Sequence, residues 1–178
     1  MDNLQFAPVT QCMTKAGLAA GSTTTLTQTL AGGATTNIIA IRGKMYSVAA
    51  LSNTATPTVD YATGKPFLPV LANQGCVFMV GFDHSGNLRV IQGQVANLDT
   101  VTVPGNFLTA PQFGAMGPSG SGSTDQDFCP IGYEVIQAGA TANNTTGWVF
   151  GTSNQSGVTG VTYTFDDVCG IVDRPQVS

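Results

Sequence analysis

The sequence predicts an all-β fold: a β-sandwich or barrel body with a small β-rich module at its C-terminal end. Three observations carry that expectation. Short apolar or alternating runs are separated by Gly, Pro and Asn turn signals along the whole chain. No stretch of useful length shows the apolar spacing of an amphipathic helix. Thr, which is β-branched and suits a pleated surface, is abundant where strands are expected. At 178 residues the chain can bury roughly 70% of its unfolded surface, enough for a core of its own.

The run from Gly75 to Gln94 organises the rest. Cys76 to Phe82 is apolar at nearly every position, Asp83 to Asn87 are turn formers, and a second arm carries Arg89, Gln92 and Gln94. This is a hairpin pattern, with Gly86 or Asn87 able to take the positive φ of the loop. A strand apolar on both faces needs cover on both. The hairpin is therefore expected mid-sheet, or with its second face against another subunit.

The remaining segments follow in order. Residues 1–21 form an N-terminal arm expected to dock on a neighbour; Val9 to Ala20 has room for a helical turn or two. Residues 22–113 form the β body. Within it Thr24, Leu26, Gln28 and Leu30 share one strand face, and two apolar runs, 37–42 and 44–51, hinge at Gly43. Pro57, Gly64, Pro66 and Pro69 mark 52–71 as a surface loop, and Thr100 to Val103 is a short strand stopped by Pro104 and Gly105. Residues 114–124 read as a Gly/Ser-rich linker. Residues 125–178 form the C-terminal β module, with strands expected at 131–138, 146–151 and 161–166. In the last, Val161, Tyr163 and Phe165 face a core while Thr162, Thr164 and Asp166 face water.

Charged residues make up 9% of the chain, against about 25% in an average soluble domain. The net charge is −4 and no basic cluster exists, which argues against nucleic-acid binding. No apolar run approaches the roughly 18 residues of a membrane helix. The start, Met-Asp-Asn-Leu-Gln, lacks the basic and apolar regions of a signal peptide, so synthesis in the cytoplasm is expected. Cys12, Cys76, Cys129 and Cys169 form no C-x-x-C pair; buried free thiols are expected, with Cys129 and Cys169 the pair to join if a bridge exists.

Material for catalysis is thin. His84 is the single histidine and sits between Asp83 and Ser85, but adjacent side chains on a turn do not readily assemble the hydrogen-bond chain of a triad. An exposed turn histidine is expected. Glu134 is the single glutamate; its expected place is the solvent face of a strand, with Asp127 its nearest acidic neighbour in sequence. Asp125, Asp127, Asp166 and Asp167, with Asn143, Asn144 and Asp173, offer the oxygen ligands calcium prefers, though turn formation and solvation explain them equally. Trp148, Tyr133, Tyr163 and Phe150 are expected in the core rather than as a sugar-stacking platform. Thr63-Gly64-Lys65 is an incomplete phosphate loop, and the glycines of 114–124 follow no strand and open no helix, so neither signature holds. No catalytic residue, cofactor or metal is assigned.

Several segments together resemble tailed-bacteriophage virion proteins. They are Asn37 to Ser47, Ala72 to Phe78, Ser85 to Val90 with Gln92-Gly93, and Ala110 to Phe113. The C-terminal part adds Asp127 to Tyr133, Thr146 to Gly151, and Asp173 to Gln176. The likeness covers most of the chain after residue 35 and is closest to the small capsid decoration, or cement, proteins. It implies a β-rich fold, self-association as a dimer or trimer, attachment to the major capsid protein on the capsid surface, and no enzymatic activity. Cys76, Phe78, Val80, Phe82 and Trp148 are the residues expected at the oligomer or capsid interface. The alternative is a tail or fibre protein that binds host-surface glycans through the C-terminal aromatics.

Overall fold

A computed structural model describes residues 10–98, 108, 111, 127–142 and 146–168. Eleven strands follow one another: β1 (Gln11–Cys12), β2 (Leu18–Ala20), β3 (Thr25–Gln28), β4 (Thr36–Ile41), β5 (Lys44–Ala49), β6 (Thr54–Ala55), β7 (Gln74–Phe82), β8 (Leu88–Gln92), β9 (Ala96–Asn97), β10 (Cys129–Ala138) and β11 (Val161–Asp167). They make three antiparallel sheets, in orders β1-β4-β5, β2-β3-β6 and β11-β10-β7-β8, with β9 also on β7. The fold is all-β, and among the described residues the sheets do not close into a barrel.

The central strand is β7, buried along eight of its nine residues. Its even-numbered side chains, Cys76, Phe78, Val80 and Phe82, enter a main core that also takes Leu18, Leu26, Ile39 and Ile131, so all three sheets contribute to it. The opposite face is covered within the same chain. Met79 packs with Ile91 and Phe128, flanked by Tyr61 and Tyr133. At Gly81 and Gly75 the cover comes so close that an added Cβ would lie 2.3 Å from the Cys129 carbonyl oxygen and 2.9 Å from Leu108, respectively. The two faces that the apolar run demanded are thus both satisfied inside one chain.

The turns obey local chemistry. Arg42 and Gly43 join β4 to β5 with φ of 51° and 77°, the left-handed pair of a tight hairpin that matches strand twist. In β3 Leu26 and Gln28 are the buried residues, the face the alternation assigned. Gln28 exchanges two hydrogen bonds with Asn37 of β4, at 3.2 and 3.0 Å, and its Oε1 also accepts from the Leu51 amide at 3.0 Å. This buried amide pair ties two sheets together with its polar atoms satisfied.

Three expectations are corrected. Residues 10–21 are no helical turn and no detached arm: Cys12, Ala16 and Leu18 are in the core, and Gly17 and Leu18 donate their amides to Asp167 at 3.0 Å each. The C-terminal segment does not build a core of its own either. β10 lies between β7 and β11 and pairs with β7 from Cys129–Phe82 to Ala138–Gln74, with one register shift between Pro130 and Gly132. The expected strand over 146–151 is a series of turns whose backbone pairs with the body at one isolated bridge, Val70 to Trp148. Gly147 and Gly151, at φ of 71° and 78°, break its extension. The expected strand at 100–103 and the linker at 114–124 lie outside the described residues.

Candidate functional site

The tip of the β7–β8 hairpin gathers Asp83, His84, Ser85, Arg89 and Asp127. Asp83, buried, accepts from the amides of Ser85 and Asn87 at 3.0 and 2.9 Å and from Arg89 Nε at 2.9 Å. Burial alone would raise its carboxyl, but the bonds from Asn87 and Arg89 outweigh that and hold it below the ordinary value. Arg89 in turn lies over the Tyr61 ring, 5.2 Å from its centroid. Gly86, not Asn87, takes the positive φ, at 79°.

His84 does face solvent, with 58% of its side chain exposed, yet it is partnered. Its Nδ1 pairs with Asp127 Oδ2, its amide donates to Asp127 Oδ1 at 3.0 Å, and Ser85 Oγ lies 3.1 Å from its Nε2. A Ser–His–Asp chain therefore forms, through an aspartate 43 residues away rather than the adjacent Asp83. Acyl transfer also needs donors aimed at the developing oxyanion. The amides of this loop are already spent: His84 on Asp127, Ser85 and Asn87 on the Asp83 carboxylate, and Gly86 on the Asp83 carbonyl. The arrangement fastens the start of β10 to the hairpin and leaves the loop no anion hole.

Glu134 reverses its expectation. It is fully buried, because β10 alternates and Glu134 falls on the same face as Ile136 and Ala138. Burial pushes its carboxyl well above the usual range. With its amide nitrogen turned inward, Gln155 donates to Oε1 at 2.6 Å and reaches Oε2 at 3.3 Å. Gln155 is itself fully buried and held by its own amide, which donates to the Thr23 carbonyl at 2.8 Å. Among the described residues the hydrogen-bonding partner of this buried acid is the neutral amide of Gln155.

Cys76, Phe78, Val80, Phe82 and Trp148, expected at an interface, are at most 3% exposed within the single chain. They are buried in its core instead of standing on an exposed surface. Cys12, Cys76 and Cys129 are buried thiols outside any disulfide, and burial pushes Cys76 and Cys129 up to about 12. Cys169, Asp125, Asn143, Asn144 and Asp173 lie outside the described residues. Of the remaining carboxylates considered for calcium, Asp127 is engaged with His84 and Asp167 with Gly17 and Leu18, while Asp166 faces water on the other side of β11. Among the described residues no three His, Cys, Asp or Glu side chains gather as a metal site. In the Thr63-Gly64-Lys65 turn the Thr63 hydroxyl donates to Asp60 at 2.7 Å, so it serves the turn itself.

The aromatic residues divide between two places. Trp148 and Phe150 pack on Phe78 at centroid distances of 5.7 and 4.8 Å, with Tyr163 against Trp148 at 6.1 Å, while Tyr133 lies on the other side of the sheet. No stacking platform results. Beside Trp148, however, lies a hollow of about 290 Å³ lined by Ala142, Thr146, Gly147, Trp148, Ser153, Asn154, Val158 and Val161. Its rim is pinned: the Asn154 carbonyl accepts from Trp148 Nε1 at 3.0 Å and from the Tyr163 hydroxyl at 3.2 Å, and Ser153 Oγ accepts from the Val149 amide at 2.9 Å. Sequence reasoning singled out Trp148 but missed Ser153 and Asn154, which read there only as a polar loop.

No helix among the described residues is long and apolar enough to cross a membrane. No protein-family model, curated protein or solved structure matches the chain.

Proposed function

We propose that this chain is a non-enzymatic virion structural protein, a capsid decoration protein that self-associates and binds the major capsid protein to stabilise the phage head. The observation that carries the reading is the outer side of the β1-β4-β5 sheet. Met45 is 51% exposed there and pairs across β4 with Ala40, while Met13, 47% exposed, donates its amide to the Ile38 carbonyl at the sheet's other margin. Among the described residues β5 pairs only with β4, and its second edge has no described partner strand. Exposed methionines beside a strand edge with no described partner make a surface that assembly covers well. The sparse charge of the chain fits, because permanent interfaces avoid the cost of desolvating ions. The loop amides consumed at His84 and the burial of Glu134 support a role without catalysis.

In this reading copies of the chain bridge neighbouring capsomers after the shell expands. Selective binding to the mature lattice stabilises that lattice by mass action. The β1-β4-β5 face replaces the β7 residues as the interface, since the latter are spent on the chain's own core. The test is cryo-electron microscopy of the source virion together with mass measurement of the purified chain. Copies on the head and a dimer or trimer in solution are expected, with Met45→Asp weakening both. A monomer with no affinity for heads would overturn the reading.

A further inference from the structure

We propose that the hollow beside Trp148 is a binding site for a neutral polyhydroxylated ligand, with a single pyranose ring as the unit it takes. At about 290 Å³ it lies at the lower end of the ~300–1,000 Å³ range of small-molecule pockets, room for one ring. None of its lining residues carries a charge, so a phosphate, carboxylate or ammonium ligand would be desolvated without a counter-charge. Val158 and Val161 are its half-buried apolar lining, with the edge of the core residue Trp148 beside them.

The lining also includes three neutral polar residues, Thr146, Ser153 and Asn154. Ser153 Oγ already accepts from Val149, which leaves its own O–H to donate. The Thr146 hydroxyl and the Asn154 side-chain amide make no hydrogen bond to another described residue. Apolar side chains mixed with neutral hydroxyl and amide groups suit a pyranose, which presents both C–H and O–H groups. The hydrogen bonds to the Asn154 carbonyl hold the rim before any ligand arrives, which lowers the ordering cost of binding.

The inference goes beyond the assembly reading and does not depend on it. Trp148 is the only tryptophan, so its emission reports on the hollow without a label. The full chain is titrated with the methyl α- and β-pyranosides of glucose, galactose, mannose and N-acetylglucosamine, followed by emission and by saturation-transfer NMR. A saturable millimolar response to at least one glycoside is expected. It should weaken at least tenfold in Asn154→Ala, an exposed change that keeps the backbone carbonyl. It should vanish in Val158→Phe, which fills the space, with thermal melts verifying that both variants fold. No saturable response to any glycoside, or an unchanged response in a folded Asn154→Ala or Val158→Phe, overturns the proposal. Head binding is measured separately, so failure of one reading leaves the other standing.

Discussion

Glu134 and Gln155 meet in the interior as an acid and an amide, 2.6 Å apart at their closest atoms and both without solvent exposure. With burial raising its carboxyl, Glu134 binds its proton more tightly folded than unfolded. A raised acid stabilises the fold fully below its unfolded value, and that contribution is lost as pH rises through the folded value. Glu134→Gln removes the proton linkage and keeps an amide against Gln155. Urea midpoints should therefore be higher for the variant than for the wild type near neutrality, and the gap should close below about pH 4. Gln155→Ala, which strips the acid of its partner, should cost about 1–3 kcal/mol.

Asp83 titrates in the opposite sense. Its carboxyl is held down, so its contribution is present above the unfolded value and lost as pH falls through the folded one. Asp83→Ala abandons the Ser85 and Asn87 amides and the Arg89 guanidinium at once. A loss of about 2–3 kcal/mol at pH 7 is expected, shrinking toward pH 2, as thermal melts across that range would read out.

Gly81 owes its place to distance. A Cβ there would sit 2.3 Å from the Cys129 carbonyl oxygen and 2.6 Å from the Phe128 ring. Backbone and ring would both have to give, so Gly81→Ala should destabilise by about 1–3 kcal/mol or more. Gly33→Ala is less informative as a control because its φ is 72°; Gly139, with the Gly160 oxygen 3.4 Å from a built Cβ, serves better. Gly139→Ala should change the midpoint far less, and chemical denaturation of the two variants compares them directly.

The Ser85–His84–Asp127 chain should turn over nothing. With its loop amides engaged, p-nitrophenyl acetate hydrolysis should proceed no faster with the wild type than with Ser85→Ala or His84→Ala. The exposed His84–Asp127 pair is worth little in water, so Asp127→Asn should shift stability by at most about 1 kcal/mol. Steady-state rates and melts on the same preparations check both statements.

Much of the framework could be read along the chain because it is local. The hairpin around Gly86, the tight turn at Gly43 and the alternation of 161–166 depend on neighbouring residues, and all three stand in the structure. Glu134 could not be placed that way. On a strand its side depends on register and on what covers each face, and β10 turns it inward beside Phe78 and Phe165. The partnership of His84 with Asp127 was equally hidden, since folding brings together residues that sequence separates by 43 positions.

By itself the sequence determined that this protein is built of short strands, that 76–82 requires cover on both faces, and that little charge reaches the surface. Only the tertiary structure decided who provides the cover. Phe128, Tyr61 and Leu108 of the same chain close the second face of β7, and strand pairing places β10 at its side. Periodicity records that a face must be dry, because water contact is a property of each residue. It does not record the partner, because nonlocal pairing is chosen by the packing of the whole chain.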